Sequence, residues 1–385
     1  MSAAGAFDAI VVGAGIVGTG TTWELARRGA RVCLLDAGVV SGGTTGLGEG
    51  NVLCADKDAG PELDLAVRGR AMYDELEALL GDEARIRRNG SLIVHPDERT
   101  WAAEPARAER LRAAGVEAEL LDAAAVHARE PELTGHVHGG LLVRGDLQCD
   151  PRRIARALAR QAACAGATVR EHARVSAIAL DGGAVTGVRL DDGEALEAPV
   201  VVVAAGPWSR DLVEATGLPF PLEPRKGQLV ELALPAADER FLRHKLIDGS
   251  YLGSAASAGA ARELSTVVET TFDGGIVLGS SRERCGFDAK VDRALSDSMI
   301  ARGARLVPAL ASLAVRSTWV GFRPWLPDHR PAIGPSRRVP GLWLGTGHEG
   351  AGVVLGPVTG RLLAAALGGE PPALSLAPFD PDRFA

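Results

Sequence analysis

Close to the amino end, Ala9 to Val12 form an unbroken apolar run between Asp8 and Gly13. A strand without polar alternate positions is covered on both faces, as in the parallel sheet of an α/β unit. The run opens into Gly13-Ala14-Gly15-Ile16-Val17-Gly18, and helical spacing follows from about Thr19 to Arg28. Arg27, Arg28 and Gly29 place cations and a C′ glycine at the negative end of that helix. A second apolar run, Val32 to Leu35, ends in Asp36. Val200 to Val203 read as another buried strand, leading into Ala204-Ala205-Gly206-Pro207-Trp208-Ser209. Near the carboxyl end a strand around Trp343 runs into a loop with Gly345, Gly347, Gly350 and Gly352, then a helix closed by Gly368-Gly369. The alanine-rich stretch 152–167 keeps helical period, so it reads as a helix and not as disorder.

In the first of these patterns each glycine has a task. Gly13 permits the tight turn, Gly15 lets the backbone approach a pyrophosphate, and Gly18 lets helix and strand pack closely. Asp36, 18 positions beyond Gly18, falls where a ribose hydroxyl needs an acceptor and would repel a 2′-phosphate, which disfavours NADP. The motif leaves FAD and NAD both open. Gly345 to Gly350 formally repeat it, but the following helix runs into 368–376, where two prolines forbid the central strand that a second nucleotide unit requires. A glycine loop feeding a helix N-terminus better serves to offer main-chain N–H groups to a developing anion, such as reduced flavin.

Composition narrows the partners. The 385 residues are 46% hydrophobic, enough for two lobes, and the net charge of −7 advertises no polyanion-binding surface. Cys33, Cys54, Cys149, Cys164 and Cys285 are scattered without a CxxC pair, as in a reducing compartment without structural zinc. The amino end lacks a basic segment before its apolar run, and no uninterrupted apolar stretch reaches membrane-spanning length. A soluble, cytoplasmic protein is expected. His136 and His138 are spaced for one face of a strand but lack a third ligand, and no GxSxG or GK[ST] motif accompanies them. Of the six tryptophans, Trp325 is the candidate for a pocket wall.

Arg323 poses the sharpest question, lying in the proline-stiffened stretch VGFRPWLPDHRPAIGP, 320–335, which reads as a turn. A guanidinium keeps its charge, so burying it requires an anion. That anion is a neighbouring carboxylate, Asp328 or Glu49, or it arrives with a ligand.

Taken in order, VVGAGIVG with LLDAG, GTT at 43–45, VVVAAGPWS, RKGQ, GFRPWLPDHRPAIG and GHEGAGVVLGPVTGRLL resemble the D-amino acid oxidase-like FAD enzymes over nearly the whole chain. Glycine oxidase, the sarcosine oxidases and the D-hydroxyproline dehydrogenase β-subunits belong to that family. The resemblance implies an α/β (α+β) fold in which a Rossmann-type FAD lobe (1–80, 147–218 and 321–385) interleaves with a substrate lobe on a mostly antiparallel sheet (81–146 and 219–320). It implies FAD contacts at Gly13, Gly15, Ile16, Val17 and Gly18, at Asp36 and Ala37, at Thr44 and Thr45, and at Glu49, Gly50 and Asn51. Val175 would meet the adenine side, Gly206 and Trp208 the same cofactor, and Gly347, His348, Glu349, Gly350, Ala351, Gly352, Val353 and Val354 the flavin ring. Arg323 matches the arginine that binds the substrate carboxylate, and Tyr251 a substrate-pocket tyrosine of glycine oxidase.

The implied reaction oxidises the C–N bond of an amino acid or N-substituted amino acid to an imine, with hydride passing to flavin N5. His348 and Tyr251 are candidates to orient or deprotonate the amine; for His348 the plainer alternative is packing of its backbone against the flavin. No cysteine stands at 320–322, where covalent members carry one, so the FAD is expected to be non-covalent. The lysine that promotes the oxygen reaction in monomeric sarcosine oxidase is replaced by Val277, which tilts the reading toward a dehydrogenase. For Glu49 a substrate-ammonium contact, a flavin-edge contact, a helix cap and a solvated position all stay open. The expected partner is a small amino acid or amine, with further copies of the chain or an electron-accepting subunit compatible. A β-subunit of a hetero-oligomeric dehydrogenase of the hydroxyproline or opine type, and a protein that binds FAD without turnover, are the alternatives.

Overall fold

The computed structural model describes residues 7–133, 136–249 and 262–385. The continuous apolar runs assemble into one six-stranded sheet, in the order Ala332–Pro335, Leu342–Thr346, Val201–Val203, Ala9–Val12, Val32–Leu35 and Thr168–Arg170. All neighbours are parallel except the edge strand Ala332–Pro335. Side chains alternate across the sheet: Ala9 and Val11 enter one core while Ile10 and Val12 enter another. Helices Ile16–Ala26, Pro151–Cys164 and Gly352–Leu367 contribute to the first core, and the three-stranded sheet Val175–Asp181, Ala184–Leu190 and Ala195–Glu197 to the second. Double coverage is why these strands carry no polar face.

The helix after the first strand begins at Ile16, three residues before the expected start. Gly15 is extended, and the Ile16 N–H donates to Thr45 Oγ1 at 3.0 Å, so a side chain from another segment satisfies a free helix-end donor. The long helical stretch Glu349–Leu367 begins at the charged Glu349 and is interrupted by Arg361. By length and composition it could cross a membrane, but it is a core helix, mostly buried and packed against Ile16–Ala26.

A second, eight-stranded sheet runs in the order Ala314–Trp325, Glu223–Ala233, Gly275–Glu283, Arg262–Thr270, Lys245–Asp248, Ser91–His95, Gly139–Val143 and Ala118–Asp122. It is antiparallel apart from the pairing of Lys245–Asp248 with Ser91–His95. Arg323 therefore does not sit in a turn. It lies near the end of a twelve-residue strand opposite Arg225, with Pro324 opposite Pro224. Ala314–Trp325 is an edge strand, where the N–H that proline lacks is not missed. This strand runs through position 321, so Arg323 belongs to the eight-stranded sheet.

Candidate active site

A cavity of about 1220 Å³ lies where the two sheets meet. That exceeds the ordinary range of roughly 300–1,000 Å³ for small-ligand sites, leaving room for a dinucleotide with a substrate beside it. Of the residues singled out from sequence, Gly13, Gly15, Ile16, Val17, Asp36, Ala37, Thr44, Thr45, Glu49, Asn51, Val175, Gly206, Trp208, Arg323 and Gly347 to Val353 all line it.

Gly18, Gly50 and Val354 stand behind the wall instead. A Cβ on Gly18 would come within 1.8 Å of the Gly13 carbonyl oxygen, and one on Gly50 within 1.8 Å of that of Cys149. These two glycines allow backbone segments to touch, and Val354 is buried in the core. Trp325 is buried under the Arg284 guanidinium, 3.8 Å above its ring, and is no pocket wall. Trp208 takes that place, stacked on Phe287. Tyr251 lies outside the described residues.

At the nucleotide end the Gly13 turn has φ +102°, open to glycine but strained for other residues. Asp36 Oδ2 accepts from the Ala14 N–H at 2.6 Å and Oδ1 from the Gly38 N–H at 2.7 Å, locking the glycine loop to the end of the second strand. At the opposite end, helix Gly352–Leu367 starts without a side-chain cap, and the Tyr73 hydroxyl donates to the Val353 carbonyl at 2.7 Å, pinning its first turn. The His348 ring turns inward to Thr359 Oγ1 at 3.0 Å, and burial pushes its pKa down to about 3. This neutral ring is engaged with the helix. The neighbouring Glu349 carboxylate meets His329 Nδ1 at 2.8 Å and lies 3.6 Å from Arg225, and it holds the His329 pKa above its usual value.

The third wall belongs to the eight-stranded sheet. Arg323 extends across its neighbour strand at Gly227, where any Cβ would lie 2.2 Å from Nη1. Beyond that gap Nη1 donates to the Ser281 carbonyl at 3.0 Å and Nη2 to Ser280 Oγ at 2.7 Å. Asp328, the nearest carboxylate in sequence, instead pairs with Arg383 at 2.7 Å.

Glu49 reaches the same wall, over Gly279, where a Cβ would lie 2.2 Å from its Oε1. Neither a helix cap nor a solvated position describes it. Oε2 accepts from Asn51 Nδ2 at 3.1 Å, while Oε1 is buried with no hydrogen-bond partner among the described residues. Behind Asn51, Lys245 Nζ donates to Asn51 Oδ1 and to Glu269 Oε2, the latter at 2.6 Å. Sequence reading missed this buried ammonium, along with Ser280 and Arg282 on the cavity wall. A lysine beginning a short strand has no signal until the fold brings Glu269 and Asn51 to it. Val277, read as the site of a missing cation, pairs in register with Glu269, so a cation does approach this part of the sheet from another strand.

The family model for FAD dependent oxidoreductases, DAO, matches residues 8–366. The chain belongs to the DAO family. It is 32% identical over 380 residues to a glycine oxidase of Pseudomonas aeruginosa, covering 97% of this chain and 98% of the relative. It is 28% identical to the hydrogen cyanide synthase subunit HcnC of the same organism, covering 98% and 96%. Among solved structures, a glycine oxidase from Geobacillus kaustophilus superposes with a TM-score of 0.87 at 25% identity, covering 98% of this chain and 99% of that one. The protein is an FAD-dependent oxidoreductase.

The cavity fits that cofactor: a glycine turn and a helix start that its own N-cap residue Gly15 does not cap suit a pyrophosphate at one end, and a helix start without a side-chain cap faces the other. For Asp36→Ala, which removes any ribose contact and loosens the glycine loop, FAD affinity should fall roughly 10- to 100-fold, about 1.5–3 kcal/mol for one lost hydrogen bond to a charged group. FAD content after dialysis checks this, and full occupancy would remove Asp36 from cofactor binding.

Proposed function

We propose that this chain oxidises the C–N bond of an α-amino acid, primary or N-substituted, whose carboxylate is held by Arg323. The observation that carries the reading is the guanidinium laid across Gly227 onto the cavity wall, beside a Glu49 oxygen that has no hydrogen-bond partner among the described residues. A planar fork of donors binds a carboxylate bidentately and so orients the adjoining carbon and nitrogen. The named activities of the relatives, glycine oxidase among them, support an amino acid substrate.

The residues that would hold FAD are Gly13, Gly15, Ile16, Val17, Asp36, Ala37, Thr44, Thr45, Val175 and the segment Gly347 to Val353. Bound FAD supplies the two-electron oxidant for the C–N bond. The chain's share is to position substrate, exclude water and manage protons. His348 contributes through its backbone and its hold on Thr359, since a ring neutral down to about pH 3 and bonded into the helix is not placed to take up a proton. With Val320, Gly321 and Phe322 preceding Arg323, the cofactor is held without a covalent bond there.

The test is anaerobic mixing of the yellow protein with glycine, sarcosine, proline derivatives and D- and L-amino acids. Bleaching of the visible flavin bands by at least one of them is expected, and acid-precipitated protein should release its flavin into the supernatant. A flavin that stays yellow with every one of these would leave a binding protein without turnover.

A further inference from the structure

We propose that Glu49 is a catalytic residue that takes the proton from the substrate ammonium, leaving the amine as its free base next to the carboxylate on Arg323. The inference rests on the reading of the site just given and adds a proton acceptor to it.

An α-amino acid at neutral pH carries both charges of a zwitterion within one small molecule. The wall around Gly279, Ser280 and Ser281 offers a complement to each: the Arg323 guanidinium is anchored on Ser280 and Ser281, and the Glu49 carboxyl lies over Gly279. Both side chains line the one cavity. Glu49 is also aimed. Its Oε2 is held by Asn51, whose own carbonyl oxygen is held by Lys245, itself fixed by Glu269. That chain of bonds leaves Oε1 as the atom without a partner among the described residues, and a buried acceptor with no bond in the free protein is costly unless something arrives to use it.

The proton transfer balances without any further reactant. One N–H bond of the ammonium breaks, its electron pair stays on nitrogen, and the proton forms an O–H bond at Glu49. Carboxylate and ammonium become acid and amine, so the buried site keeps one ion pair, Arg323 with the substrate carboxylate. The nitrogen lone pair set free is what oxidation of the C–N bond to an imine requires.

Burial pushes Glu49 above the usual carboxylate range, and Glu269 adds to that push. Lys245 and Arg323 oppose it, as does the hydrogen bond from Asn51. A carboxylate with raised basicity is a better base at neutral pH than an ordinary one.

The test uses holoenzyme of the wild type, Glu49→Gln and Glu49→Asp, with whichever amino acid bleaches the wild-type flavin, followed anaerobically from about pH 6 to about pH 10. Acetate, a carboxylate without an amine, is titrated in parallel against the visible flavin spectrum. For Glu49→Gln the bleaching rate divided by the substrate dissociation constant should fall about 10²-fold or more near neutrality, the usual contribution of a general base. It should recover toward wild type as pH approaches the substrate amine's own pKa, where the proton leaves unaided. Glu49→Asp should retain part of the neutral rate, and acetate should bind all three proteins equally. A deficit of the same size at every pH, no deficit near neutrality, or lost flavin or acetate binding would overturn the role of Glu49 while leaving that of Arg323 standing. A wild-type flavin bleached by nothing would bring down both.

Discussion

Arg323→Ala should raise KM for the amino acid about 10²- to 10³-fold while FAD stays bound. Truncating one member of a buried, hydrogen-bonded charge pair costs on the order of 2–5 kcal/mol, and each 1.4 kcal/mol is tenfold in affinity. Orientation is lost as well, so the rate of flavin bleaching should also drop. The cofactor should remain because Arg323 belongs to the eight-stranded sheet, whereas the glycine loop and Asp36 belong to the six-stranded one. Arg323→Lys should recover only part of the loss. An ammonium is a point charge, and it cannot hold Ser280 Oγ and the Ser281 carbonyl while presenting a planar fork to a ligand. Flavin absorbance at equilibrium reads cofactor content, and substrate titration of the bleaching rate reads binding. An unchanged KM would end the anchor assignment.

The largest effect on stability is expected at Lys245. This side chain is 1% exposed, and its ammonium bridges Glu269 and Asn51. Lys245→Ala leaves the Glu269 carboxylate buried without its cation, a change that costs about 3–5 kcal/mol. Thermal unfolding should shift downward by on the order of 10 °C. Removing the charge on both sides, as Lys245→Met with Glu269→Leu, should restore much of that loss, because two apolar groups carry no unmet desolvation. If the single variant melts with the wild type, the buried pair contributes nothing. The double variant also bears on the Asn51–Glu49 arm, since it keeps the fold while removing the cation that fixes Asn51.

Much of the dinucleotide half was legible before folding. Gly13, Gly15, Gly18 and Asp36 sit within one strand–helix–strand unit, where backbone geometry ties residue type to task over a short span. Arg323 stood out because a permanent charge amid Phe322, Pro324 and Trp325 demands a partner wherever it lies. Its setting was misread: Pro324 on an edge strand, facing Pro224 of the next strand, looks like a turn residue in one dimension. Helix Gly352–Leu367 was visible as a glycine-led helix, but that the His348 ring points to Thr359, eleven residues on, depends on helical phase and packing.

By itself, then, the sequence determined the parts whose chemistry is carried by neighbours in the chain: the doubly covered strands, the phosphate-suited glycine turn, the acid closing the second strand and the arginine in need of an anion. Tertiary structure alone decided the cavity wall that carries Glu49 and Arg323. Glu49 meets Gly279, Asn51 meets Lys245, and Lys245 meets Glu269 across four different segments, so no spacing rule connects them. The physical reason is desolvation: a charge acquires its meaning only when folding strips its water and dictates which distant group replaces it.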